Sequence, residues 1–217
     1  MSDYIVQRAN MVECQLRAGR VMNEALLDAM GSVAREEFAP VAMRPIAYAD
    51  DSHAFQGRVL VEPMIFGRLA QAAEPGVEDY VLDVGAGLGY SSAVLGRIAS
   101  AVVALESDGD LAACTRRALA ADGSDNVLVI EGPLEAGCPE EAPFNVIIVQ
   151  GAVAAIPPVL LDQLAEGGRL AAILRPGGGP GRATIFTKRG GVISSRIVFD
   201  ANAPYLAGFE PKQEFVF

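Results

Sequence analysis

Between residues 80 and 175 the chain alternates short apolar runs with amphipathic stretches, and each apolar run closes on a polar residue or a glycine. The segments Val81–Val84, Ala101–Leu105, Asn126–Ile130, Phe144–Val149 and Arg169–Leu174 have the length and the branched apolar content of strands. The stretches from Ser91 to Ala99, Asp110 to Ala121 and Pro157 to Ala165 read as helices. Strands alternating with helices at this spacing predict βαβ units and a parallel sheet. The Phe144–Val149 run is nearly all apolar, which predicts a strand buried on both faces.

The flanks differ from this core. Tyr4 to Leu16 carries Ile5, Val6, Met11, Val12 and Leu16 near helical spacing, an amphipathic helix lying on something. Asn23 is placed as the N-cap of a helix beginning at Glu24, and Val33 to Pro40 reads as a second helical piece ended by proline. From Arg44 to Pro63 periodicity is lost, which suits a lid or substrate wall, before a helix resumes over Met64 to Ala73. After the glycine-rich connection at 177–181, Ala183–Lys188 and Val192–Phe199 flank Gly190-Gly191 and predict an antiparallel hairpin. The expected division is a single domain: 1–75 as helical cap and lid, 76–200 as α/β core, 201–217 as a tail whose closing Phe215-Val216-Phe217 has no assigned role beyond packing.

Candidate chemistry concentrates at the end of the first core strand. Asp83-Val84-Gly85-Ala86-Gly87-Leu88-Gly89-Tyr90 sets an acid before three alternating glycines and then enters a helix. Glycine there allows a sharp strand-to-helix turn and a close approach of a ligand to the backbone. A dinucleotide fingerprint requires G-x-G-x-x-G, whereas this spacing suits S-adenosylmethionine (SAM), with NAD(P) or a flavin as the competing reading. Strand ends nominate the remaining contacts. Glu106, about 20 residues past the first glycine, is placed to accept the ribose hydroxyls, with Ser107 beside it. Gly132, Pro133 and Leu134 would flank adenine, and Gln150 would line the space by the transferable methyl. Asp83, Gly85, Ala86, Gly87, Gly89 and Tyr90 complete the expected cofactor set.

Composition adds limits. At 217 residues with 51% hydrophobic content, one α/β domain can bury a sizeable core. No run is long and uncharged enough to cross a bilayer, and the start lacks the basic character of a signal peptide, so a cytoplasmic location and no membrane partner are expected. The net charge of −10 and the lack of basic runs interleaved with aromatics argue against nucleic acid as a partner. Cys14, Cys114 and Cys138 have no metal-ligand spacing and read as buried or half-buried thiols, with no metal expected; His53 reads as a lid or surface histidine.

The segments Arg35–Pro40, Ala47–Asp50, Leu82–Tyr90 and Ala142–Val149, with Ile156-Pro157 and Gly167–Leu170, resemble the protein-L-isoaspartate O-methyltransferases. The resemblance runs from the N-terminal helix to the fifth core strand and weakens after Leu174. It implies an α/β, Rossmann-like class I methyltransferase fold: a mostly parallel seven-stranded sheet with an N-terminal helical cap and a C-terminal antiparallel hairpin. It further implies SAM as cofactor and methylation of the free α-carboxylate of isoaspartyl residues in a damaged protein or peptide. A carboxylate is already ionised near neutral pH, so such a site needs orientation and exclusion of water more than a base.

Two departures stand out. The family segment Gly-Gln-Thr-Ile-Ser-Gln-Pro aligns with Gly57–Pro63, so the hydroxyls expected beside the substrate carboxylate fall on Val59 and Val61. Valine cannot donate a hydrogen bond, and a lost donor to a charged group costs about 1.5–3 kcal/mol. Pro133 stands where the family has the aspartate of Gly-Asp-Gly, removing one expected contact to adenine. Arg58 is a candidate substitute fork for a carboxylate, and Ser52 or His53 could reach in from the lid. Two alternatives therefore stay open beside isoaspartyl repair: SAM binding without isoaspartyl activity, in an interaction role, or methylation of another acceptor.

Overall fold

The computed structural model describes residues 4–211, and Phe215-Val216-Phe217 lies outside them. A separate two-stranded hairpin, β1 (His53–Phe55) and β2 (Arg58–Leu60), stands beside a central seven-stranded sheet. The central strands are β3 (Tyr80–Val84), β4 (Ala101–Glu106), β5 (Val127–Glu131), β6 (Phe144–Val153) and β7 (Leu164–Leu174), with β8 (Arg182–Arg189) and β9 (Val192–Asp200) closing one edge. Their order across the sheet is β5-β4-β3-β6-β7-β8-β9. Pairing is parallel from β5 through β7 and antiparallel for β7-β8-β9. The order reverses at β3, which pairs with β4 on one side and β6 on the other, and this is the crevice where open α/β sheets take ligands.

Successive buried side chains along the strands alternate between the two faces of the sheet. Val81, Val102, Ala104, Val146 and Ile148 pack into one apolar cluster, whereas Leu82, Val84, Val103, Leu105 and Ile147 pack into a second on the opposite face. Both faces of β3, β4 and β6 are covered, which is why those segments read as continuous apolar runs, whereas the edge strand β5 leaves Leu128 exposed. The helices between them are α4 (Tyr90–Gly96), α5 (Gly109–Asp122) and the short α6 (Pro158–Asp162).

The cap follows the sequence in part. Asn23 caps α2 (Glu24–Ser32), its side chain accepting from Leu26 N at 3.0 Å. Arg35–Phe38 is a single 3₁₀ turn, shorter than the expected helical piece, because Pro40 denies a further helical donor. The N-terminal helix α1 (Tyr4–Asn10) passes into a π-helical turn at Met11–Arg17, and burial is confined to Met11 and Leu16. Ile5 and Val6 are 76% and 51% exposed, so these two apolar positions do not face the core as their spacing implied, while Tyr4 packs against it.

Three other boundaries move. The region from Arg44 to Pro63, expected to be irregular, contains the hairpin of β1 (His53–Phe55) and β2 (Arg58–Leu60), whose turn uses Gln56 and Gly57 at positive φ. Three-residue strands are too short to show a period of two. Helix α3 (Pro63–Ala73) follows directly, with proline in its first turn. Strand β6 runs four residues beyond Val149, through a register shift between Ile148 and Ala152.

That extension receives the tail. Ala152 N donates to Pro204 O and Leu206 N donates to Ala152 O, both at 2.9 Å, so Pro204–Leu206 docks beside β6 as a short added strand. Leu206 is fully buried, and Phe209 packs in the same cluster.

Candidate active site

Every predicted cofactor residue lies at or near the carboxyl edge of β3, β4, β5 or β6. The β3–α4 loop carries Gly85, Gly87 and Gly89 at φ of +77°, +59° and +95°, the left-handed region that side chains disfavour. Gly85 N donates to Leu105 O at 3.0 Å and Gly87 N to Glu106 Oε2 at 3.1 Å, which locks the loop against the end of β4. Ala86 lines the small cavity described below, and Gly89 caps α4.

Asp83 is fully buried and spends both oxygens inside the protein. Ser91 Oγ and Ser92 Oγ donate to its Oδ2 at 2.6 and 2.5 Å, and Gln150 Nε2 donates to Oδ1 at 2.7 Å. Asp83 therefore ties β3 to α4 and to β6, and Gln150 is oriented by that bond. Burial pushes the Asp83 carboxyl above its ordinary pKa, while the three donors pull it back.

Glu106 is the most heavily bonded group in the site. Arg58 Nε donates to both of its oxygens at 2.9 and 2.8 Å, Arg58 Nη2 also donates to Oε1, and Asp108 N adds a bond at 2.9 Å. The pair is enclosed, with side-chain exposures of 5% for Arg58 and 0% for Glu106. Arg58 Nη2 reaches Ser107 Oγ at 2.7 Å as well. The carboxylate expected to accept ribose hydroxyls is thus neutralised by a guanidinium from β2. Arg58 is correspondingly unavailable as a fork for an acceptor in this conformation, contrary to the substitute role its sequence position suggested.

The glycine cradle is filled from the same direction. A Cβ on Gly87 would lie 3.1 Å from the Phe55 ring, and one on Gly85 would lie 2.8 Å from Leu206 Cδ1. What remains is a cavity of about 10 Å³ among Arg35, Phe38, Phe55, Val59, Val61, Phe66, Ala86, Tyr90 and Gln150, room for a single water. Val59 and Val61 are both buried there, so the structure brings the acceptor-side positions against the glycine loop.

Other expectations fall differently. Gly132 and Pro133 border a larger cavity of about 350 Å³ with Leu105, Ile130 and Cys138, but Leu134 points into the core at 1% exposure and does not flank it. Ser52 Oγ accepts from Glu62 N at 2.9 Å and His53 Nε2 lies 3.2 Å from Ile46 O, so neither reaches into the site. Cys138 is buried and Cys114 half-buried, while Cys14 is exposed rather than buried. Sequence reasoning missed Phe55 and Leu206, whose signal would have been their apolar character in segments without periodicity, and it quoted Arg35 only as part of a motif.

The residue types suit SAM: a buried carboxylate at the end of β4 and a glycine turn with its amides held at the switch point of the sheet. The space does not admit it until Arg58 and Phe55 withdraw. The strand order and the turn at its switch point define an open, Rossmann-like α/β fold, and the family match makes it that of a class I methyltransferase. Residues 7–200 match the family model of the protein-L-isoaspartate(D-aspartate) O-methyltransferases, and the chain belongs to that family. It is 42% identical over 186 residues to a protein-L-isoaspartate O-methyltransferase of Methylorubrum populi, covering 84% of this chain and 86% of that one. A second, from Koribacter versatilis, is 40% identical over 171 residues, covering 78% and 77%. Among solved structures, a protein-L-isoaspartate O-methyltransferase superposes with a TM-score of 0.79 at 22% identity, over 94% of this chain and 67% of that one. A beta-aspartate methyltransferase structure from Plasmodium falciparum, in complex with S-adenosyl-L-homocysteine, gives 0.75 at 22% identity over 92% and 97%. At that identity these two establish the shared fold.

Proposed function

We propose that this chain methylates a carboxylate of isoaspartyl residues in damaged protein, with SAM as the methyl donor. The observation that carries the reading is the family match over residues 7–200, in a chain whose Gly85–Gly89 turn and Glu106 keep the cofactor chemistry. When bound, SAM supplies an activated methyl on a sulfonium. Glu106 would accept the ribose hydroxyls, the amides of the glycine turn would face the methionine part, and Gly132 and Pro133 would flank adenine. Asp83 holds this scaffold rigid through Ser91, Ser92 and Gln150. Val59, Val61 and Phe55 form an apolar wall that excludes water from the transfer path.

A second reading rests on the Arg58–Glu106 pair: a family member whose cofactor seat is normally shut and whose role is binding. Transfer of labelled methyl from SAM to an isoaspartyl peptide, run beside its aspartyl twin, separates the two. Label in a base-labile ester on the isoaspartyl peptide alone supports repair chemistry. No label on either peptide, with SAM bound, favours the second reading.

A further inference from the structure

Arg35 is a buried cation without a counter-ion. Its side chain is fully enclosed; Nε donates to Ala47 O at 2.6 Å and Nη2 to Val61 O at 2.7 Å, and the guanidinium carbon lies 4.7 Å from the centre of the Tyr90 ring. Among the described residues Nη1 makes no hydrogen bond of ordinary geometry, its polar neighbour being the Tyr90 hydroxyl. Among the described residues no carboxylate forms an ion pair with it; its neighbour Glu36 is held by Arg8 at 3.1 Å and by the Tyr48 hydroxyl at 2.5 Å. Burial pulls the Arg35 pKa down, yet an arginine stays protonated in proteins. Buried charges are ordinarily paired, because leaving one unpaired costs several kcal/mol.

The Tyr90 hydroxyl shares this condition. It is buried and, among the described residues, makes no hydrogen bond of ordinary geometry, with Arg35 as its charged neighbour; its ring is fixed by Phe38 and Phe66 at centroid distances of 6.3 and 6.0 Å. Arg35 and Tyr90 both line the small cavity, and so do Val59 and Val61, where the family resemblance puts its two acceptor hydroxyls. Two unsatisfied donors, one of them charged, thus face the place where this chain has lost two others.

We propose that Arg35 Nη1 and the Tyr90 hydroxyl form the anion-recognising end of the acceptor site and bind a carboxylate of the acceptor. This rests on the acceptor being a carboxylate, as in the function proposed above. A guanidinium nitrogen and a phenol replace two aliphatic hydroxyls, and a charge-assisted bond compensates for the missing neutral donors. Arg58 cannot fill this role while it is bound to Glu106, and Arg35 carries the free nitrogen. Entry requires the β1–β2 hairpin, with Phe55 and Arg58, to swing away from the glycine turn. The same swing would uncover Glu106.

The test is calorimetric, with two peptides that differ only in the α-carboxyl of one isoaspartyl residue, free in the first and amidated in the second. Each is titrated into the full chain with and without S-adenosyl-L-homocysteine. The carboxylate peptide is expected to bind at least tenfold more tightly than its amide. Tyr90→Phe removes one hydroxyl and keeps the ring, so it should narrow that preference about tenfold while leaving the amide peptide unchanged. Arg35→Lys keeps the charge but loses the fork, and should narrow it further. Equal affinity for the two peptides, no binding of either, or a preference untouched in both variants would overturn the proposal and leave a buried water as the occupant of the cavity. Tight carboxylate binding without methyl transfer would instead count against the proposed reaction and leave this site standing.

Discussion

Arg58 and Glu106 meet across the mouth of the sheet, from the lid hairpin and from the end of β4, in a buried pair sharing three hydrogen bonds. The carboxylate proposed to meet the cofactor ribose is already satisfied by the chain itself. Removing one partner of such a pair leaves an uncompensated charge and costs about 3–5 kcal/mol, whereas exchanging the guanidinium for ribose hydroxyls keeps Glu106 bonded. If Glu106 takes the ribose as proposed, cofactor entry requires Arg58 to leave it.

Leu206 closes the other side of the glycine turn, fully buried against Gly85 and Gly151. Leu206→Ala should destabilise the protein by about 2–5 kcal/mol, the range for a buried leucine truncation. Chemical denaturation would show the midpoint falling with an unchanged slope. A loss under about 0.5 kcal/mol would mean that the tail is not part of the core.

Val59 and Val61 offer no side-chain donor at the two positions where the family resemblance expects hydroxyls. The double substitution Val59→Thr with Val61→Ser should raise kcat/KM for an isoaspartyl peptide by about ten- to a hundredfold, the worth of a regained bond to a charged group. Steady-state kinetics on the peptide reads this directly, and an unchanged value would show that the carboxylate does not approach these residues.

Glu62, at the start of α3, has its pKa raised by burial first and then by the nearby Asp50 and Asp51 charges. A carboxyl whose folded pKa exceeds its unfolded value binds its proton more tightly in the native state, so its ionisation removes stability as pH rises from the ordinary carboxylate value through the folded one. Glu62→Gln should accordingly raise the melting temperature at pH 8 and leave it nearly unchanged at pH 4. A gain of equal size at both pH values would contradict the assignment.

Much of the sheet was legible because its strands are buried on both faces and bounded by glycine or acid, as at Asp83, Glu106 and Glu131. The strand-end positions nominated for the cofactor follow from the topology, since any strand end at the switch point can be nominated once the βαβ order is known. The hairpin at 53–60 was not, because three-residue strands carry no period, and Phe55 and Arg58 gain their meaning only from contacts with Gly87 and Glu106, 32 and 48 residues away by position. Leu206 was hidden for the same reason: its partner is a register shift in β6 that no local pattern announces. Arg35 shows the limit most clearly, since an unpaired nitrogen is a property of three-dimensional surroundings.

The most direct test is calorimetric titration of SAM into the wild-type chain and into Arg58→Gln, which carries the residue of the resembled family segment. The account predicts one site in each protein, at least tenfold tighter in Arg58→Gln because Glu106 is no longer contested. Absence of SAM binding to both proteins, with both folded, would contradict it.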